Sequence, residues 1–212
     1  MAARAWFSLR HHGDFADPDA PHPGRGVPAR PWTWLNQVHG ARVVTVRHPG
    51  DQAGVKADAA VTAVPGCALV VRTADCAPVV VLSESVVGVA HAGWRGLLGG
   101  VVEATVDAVR RAGAGPVTAA LGPCISPARY EFTGPGLDAL AERYGPTVRG
   151  RSDRGTPAVD LRAGVRAALA GAGVDEVDEP VPWCTATREG DLFSHRARGE
   201  AGRHGAFAWL QP

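Results

Sequence analysis

Two apolar runs set almost back to back, PVVVL at residues 78–82 and SVVGVA at residues 85–90, constrain the fold more than any other feature. Runs of this length, rich in β-branched side chains and bounded by turn formers, fit buried strands better than helices. Residues 43–47, 59–64 and 68–71 add shorter strands, residues 117–121 and 207–210 add two more, and a stretch opening at Cys184 holds another candidate. The first helix is predicted to begin at Trp94 or Arg95. Leu97, Val101, Ala104, Thr105, Ala108 and Val109 recur at spacings of three and four, Arg110 and Arg111 occupy its last turn, and Gly113 stops it. Residues 134–144 and 160–172 form two further helices. Residues 11–31, rich in Pro, Gly, Asp and His with no apolar period, read as a loop. This order is mixed α/β without the alternation of a doubly wound sheet. A chain of 212 residues with 45% hydrophobic content supports one core, hence one domain over 1–212.

With 22 basic and 21 acidic residues, the chain lacks the electrostatic footprint of a nucleic-acid or anionic-membrane binder. No apolar run approaches the roughly 20 residues of a membrane-spanning helix. Residues 1–9 lack the apolar core of a signal peptide, and Arg4 interrupts them. Cys67, Cys76, Cys124 and Cys184 are too scattered for a disulfide framework. These features lead us to expect a cytoplasmic protein with free thiols, acting as a monomer or weak homo-oligomer.

Three segments concentrate unusual chemistry: NQVHG around His39, TADCAP around Cys76, and HAGWRG from His91. Cys76 and His91 fall at ends of neighbouring predicted strands, where rigid elements meet loops. Two imidazoles and one thiolate suit a borderline-soft metal, and three protein ligands leave a fourth position open, as in catalytic zinc sites. Such a zinc can bring the pKa of bound water towards about 7 or polarise a substrate oxygen. Spacing alone leaves open that Cys76 is a small core residue and that each histidine has a structural role. Gly93 and Gly96 flank Trp94 and Arg95 ahead of the first predicted helix. A helix N-terminus there, with Arg95 beside it, offers a candidate phosphate site; a plain strand–helix turn is the alternative.

The runs NQVHG, ADAAVTAVPGCALVVRTADCAPVVVL, VGVAHAGWRGLLGGVV and LGPCISPARYEF resemble the YfiH/laccase-domain family, and the ending CTATREGDLFSHRARGEAGRHGAFAWL continues the match. The family was formerly labelled polyphenol oxidase and is now described as zinc-dependent purine nucleoside phosphorylases. The resemblance implies zinc ligands at His39, Cys76 and His91. It implies phosphorolysis of adenosine, inosine, guanosine and methylthioadenosine, with deamination of adenosine as a second activity. It also implies central packed β-sheets flanked by helices, related to a toxin deamidase. The family's R-x-G-G-V-S segment survives here only as Arg10 and Gly13, and its terminal F-S-Y-R-R-D reads Phe193, Ser194, His195, Arg196, Ala197 and Arg198.

On this basis purine nucleosides and phosphate are the expected partners. Gly93, Arg95, Arg10 and Arg196 are candidate phosphate contacts, and Asp75 is a candidate acid/base group, partner of a ligand imidazole, or backbone cap. The H-x-E…P-C-x-x-C pattern of classical zinc nucleobase deaminases is absent, so deamination would need another geometry. Ligand arithmetic argues against copper: Met1 is the only methionine, and no H-x-H motif occurs among the eight histidines. Two rival readings are a metal-free hydrolase or deamidase with Cys76 activated by His91, and a non-catalytic binding module.

Overall fold

The computed structural model describes residues 2–19, 26, 28 and 31–211. In chain order its first half holds β1 (Ala2–Phe7), β2 (Trp32–Trp34), β3 (Val43–Thr45), β4 (Ala59–Thr62), β5 (Ala68–Thr73), β6 (Ala77–Leu82) and β7 (Val87–Ala92). Then follow α1 (Trp94–Leu98), α2 (Val101–Ala112), β8 (Thr118–Leu121), α3 (Pro135–Tyr144), β9 (Arg149–Arg151), β10 (Pro157–Val159), α4 (Leu161–Gly171), β11 (Val177–Asp178), α5 (His195–Arg198) and β12 (His204–Gln211).

Six strands form one sheet in the order β11-β8-β6-β7-β4-β3, four form a second in the order β1-β12-β5-β2, and β9 and β10 pair as a small third. The two larger sheets pack face to face. Val80, Val87 and Val89 of the larger sheet meet Leu69, Val71, Ala206 and Leu210 of the smaller. The opposite face of the larger sheet, through Val79, Val81 and Ala90, packs on Val102, Val106 and Val109 of α2 and on Val165 and Leu169 of α4. β6 is therefore buried on both faces, which is why its sequence is an unbroken valine run. Each fully buried Val or Leu in these layers contributes about 1.5–3 kcal/mol of burial free energy. The far face of the smaller sheet is covered by an aromatic cluster that includes Phe15, Trp32 and Phe207. The architecture is the expected mixed α/β, with sheets at the centre and helices outside.

Several details differ from the sequence reading. The long helix predicted from Trp94 is two helices. Gly99 ends α1, and Gly100 takes a left-handed φ of 85° before α2 begins, a conformation that glycine adopts without strain. β7 runs on through Ala92, so His91 lies inside the strand, paired with Pro78, and not at its exit. β1 and β2 were not anticipated. The Cys184 stretch makes only an isolated bridge with Cys124. In the predicted loop, Arg10–His12 forms one 3-10 turn, and residues 20–25, 27, 29 and 30 lie outside the described residues. No helix among the described residues is long and apolar enough to cross a membrane.

Candidate metal centre and active site

The chain crosses between its two larger sheets through the bend at residues 74–76, which links β5 to β6. Cys76 ends that crossing. His91 arrives on β7, the partner of β6. His39 sits in a bend after β2, at a left-handed φ of 59° that His tolerates better than a branched residue would. Potential ligand atoms of the three residues lie within 4.8 Å of one another, and this is the one such trio among the described residues. His39 Nε2 lies 3.8 Å from Cys76 Sγ. Tetrahedral zinc with ordinary bond lengths separates an S and an N ligand by about 3.6 Å, so the spacing fits.

Asp58 organises this centre, and the sequence reading missed it. Fully buried, it accepts a hydrogen bond from His91 Nδ1 at 2.8 Å. It also accepts the backbone N–H groups of Val38, His39 and Gly40 at 3.2, 2.9 and 2.7 Å. One carboxylate thus shapes the His39 bend and orients the His91 ring, leaving His91 Nε2 for a metal. This carboxylate–histidine arrangement is characteristic of metal-binding imidazoles. Burial opposes the charge on Asp58, but its hydrogen bonds outweigh burial and hold its pKa below the ordinary value. A lone acid heading the apolar run at residues 58–62 was the available signal, because a buried carboxylate requires partners.

Burial also opposes ionisation of Cys76, yet the charge of His91 and hydrogen bonds from His39 and His91 bring its pKa down to about 6. The same coupling, with help from Asp58, raises that of His91 against its own burial. Metal-free protein between about pH 6 and about pH 9 therefore carries a thiolate beside an imidazolium. In metal-stripped protein, iodoacetamide should alkylate Cys76 with a midpoint near pH 6, read by peptide mass mapping, and zinc should protect it. A midpoint at the ordinary thiol value of about 8.5 would contradict this pairing.

Gly93 packs directly against the trio. A Cβ built there would lie 2.8 Å from His39 Cδ2 and 2.9 Å from Cys76 Sγ. The helix that follows has only five residues, so the extended helix N-terminus expected beside Gly93 is not formed.

The trio opens onto a cavity of about 390 Å³, within the size range of small-molecule sites. Tyr130, Trp94, Ile125 and Leu161 give it apolar surface, and Arg72, Arg95, Arg196 and Arg203 give it positive charge. Arg95 is exposed and stacks on Trp94; Arg196 is exposed and stacks on Tyr130. His195, Arg72 and Arg203 line the cavity without having been singled out from the sequence. Arg10 is elsewhere: it pairs with Glu200 at 2.6 Å, donates to the Leu192 carbonyl, stacks on Phe193 and does not line the cavity.

Asp75 also lines the cavity, but it is not the partner of the His91 imidazole; Asp58 is. Its carboxylate accepts from Thr185 Oγ1, Ser194 Oγ and the Arg196 backbone N–H at 2.5, 2.7 and 2.6 Å. Asp75 itself stands at φ 102°, strained for a residue with a Cβ. These contacts fasten α5, and with it His195 and Arg196, to the crossing that carries Cys76.

Two imidazoles and a thiolate beside a cationic cavity, in a mixed α/β body, define a protein with a candidate single-metal centre. A family model described as multi-copper polyphenol oxidoreductase laccase matches residues 23–211, and the chain belongs to that family. It is 43% identical over 185 residues to a Streptomyces griseus protein named purine nucleoside phosphorylase, covering 84% of this chain and 73% of the relative. A Mycobacterium tuberculosis protein of the same name is 38% identical over 191 residues, covering 88% and 75%. Among solved structures, protein NMB0706 of Neisseria meningitidis superposes with a TM-score of 0.77 at 33% identity, covering 86% of this chain and 76% of that one. YlmD from Geobacillus stearothermophilus gives 0.76 at 32%, covering 85% and 74%.

Proposed function

We propose that this chain is a zinc-dependent purine nucleoside phosphorylase that also deaminates adenosine. The observation that carries the reading is the placement of a three-donor, Asp58-braced centre on a cavity combining aromatic surface with arginines. The names of its relatives point the same way.

His39, Cys76 and His91 would hold the ion, which supplies Lewis acidity towards a substrate oxygen or water. Tyr130 and Trp94 offer faces for a purine, and Ile125 and Leu161 offer apolar contacts that exclude water. The guanidinium forks of Arg95 and Arg196, each steadied by an aromatic ring, are placed to orient phosphate. Asp75 acts as a positioning residue: with three donors on its carboxylate, it holds the wall that presents Arg196. His195 is the exposed imidazole on that wall and is the candidate to hand a proton to the departing base.

The test is incubation with adenosine and phosphate, resolving adenine, ribose 1-phosphate and inosine by chromatography, for wild type and His91→Ala. Wild type should form all three, and His91→Ala none. Equal activity in the two proteins would overturn the assignment.

The thiolate–imidazolium pair favours a second reading, a metal-free cysteine hydrolase. Zinc content separates the two readings: protein purified without zinc that still hydrolyses amides through Cys76 would favour the hydrolase.

A further inference from the structure

Arg72 and Arg203 are not used in the mechanism above, and their partners, backbone carbonyls for both and the Trp34 ring for Arg72, leave their charges unneutralised. Both are half-buried, at facing ends of β5 and β12, where His204 pairs with Thr73. Both line the main cavity, and both also line an adjoining cavity of about 270 Å³ beside Asn36 and Ala201.

Neither forms an ion pair with a carboxylate among the described residues; Asp17 acts on Arg72 only from a distance. Arg72 spends its two Nη groups on the carbonyls of Ala16 and Leu35, and its buried Nε has no acceptor. Arg203 directs Nη1 at the carbonyls of Glu200, Ala201 and Gly202. That leaves its Nε–Nη2 edge, the geometry that grips an oxyanion in two bonds, without an acceptor among the described residues. The two like charges are close enough to repel: burial first, and Arg203 second, disfavour the charge on Arg72. Asp14 accepts the backbone N–H of Arg203 and not its guanidinium, and two guanidiniums half out of water with no carboxylate on either fork are a cost unless an anion joins them.

We propose that Arg72 and Arg203 form a second anion subsite, at the junction of the two cavities, that takes a phosphoryl group. The group is either free phosphate or the 5′-phosphate of a nucleotide, and the two sources are distinguishable. The proposal needs no turnover, so it is tested by binding, independently of the phosphorylase reading.

Titration calorimetry with inorganic phosphate, adenosine and adenosine 5′-monophosphate would be run on wild type, Arg72→Gln, Arg203→Gln and Arg188→Gln. Arg188 stacks on Trp183 and lines neither cavity. Losing a charge-assisted bond should weaken the phosphoryl ligand by about tenfold or more in both subsite variants and leave Arg188→Gln unchanged. If adenosine 5′-monophosphate binds more tightly than adenosine and the Arg203→Gln substitution removes the advantage, the occupant is the 5′-phosphate. If the two bind alike and free phosphate alone is weakened, the occupant is the inorganic ion. Both arginines also fasten backbone carbonyls, so Arg203→Lys, which keeps a cation there but loses the two-bond edge, should weaken the phosphoryl ligand likewise and decides the matter should either Gln variant melt early. Wild-type affinity for all three ligands in a folded Arg203→Gln protein would overturn the proposal.

Discussion

Asp58→Asn is expected to destabilise the fold by about 3–5 kcal/mol, the range for breaking a buried charged pair. It should also weaken metal binding by about 10–100-fold, as loss of an outer-shell carboxylate does. Four donors converge on this one side chain. Oδ1 takes the His39 N–H and His91 Nδ1, while Oδ2 takes the Val38 and Gly40 N–H groups. An amide offers one oxygen, so whichever way it turns, its NH2 meets two donors and both lose their acceptor. Each buried group left unpaired costs about 1–3 kcal/mol, and the His39 bend and the His91 tautomer lose their common support. Denaturant midpoints and a zinc competition titration measure the two effects; a change below about 1 kcal/mol with unaltered affinity would refute the role. The pH dependence has a definite sign. Because hydrogen bonds hold the Asp58 pKa below its ordinary value despite burial, its stabilisation is complete above about pH 4. That stabilisation is lost as pH falls through the lowered value, and the D58N protein should lack this component of acid sensitivity.

The interplay of local and distant interactions explains which parts of this molecule the sequence discloses. β6 and β7 were legible because a strand covered on both faces needs an apolar residue at every position, and valine runs are unmistakable. β1 was not, because AARAWF sits at a sheet edge with alternate residues exposed, and its partner β12 lies some 200 residues away. The break between α1 and α2 was hidden by an apolar spacing that continues across Gly99 and Gly100. His39, Cys76 and His91 stood out as residue types, and the structure brings them together. Their supporting residues did not stand out, because the value of Asp58 depends on residues 38–40 folding back onto it. Arg10 shows the converse. Its place in a motif suggested an anion contact, but Glu200, 190 residues later, occupies its guanidinium.

Gly93→Ala is expected to separate metal binding from folding, and it decides between two roles for this glycine. Its φ of −76° and ψ of 168° are ordinary for any residue, so alanine meets no backbone strain. The conflict is with the trio: the new methyl would lie 2.8 Å from the His39 ring and 2.9 Å from Cys76 Sγ, closer than side-chain atoms pack. Both overlaps fall on side-chain atoms that line the cavity, His39 on its exposed side and Cys76 beside it, so they are relieved by displacing those two side chains and not by distorting the core. The stability cost should stay at the low end of the overpacking range, about 1 kcal/mol. Zinc affinity should fall by about tenfold or more, and phosphorolysis should fall with it. If Gly93 instead served to let phosphate approach the backbone, the same substitution would leave zinc content intact and raise the KM for phosphate. Zinc stoichiometry and phosphate KM, measured on one preparation, give opposite answers for the two roles. Full zinc with a raised KM would show that Gly93 contacts the anion, whereas lost zinc would show that the glycine is there to make room for the metal ligands.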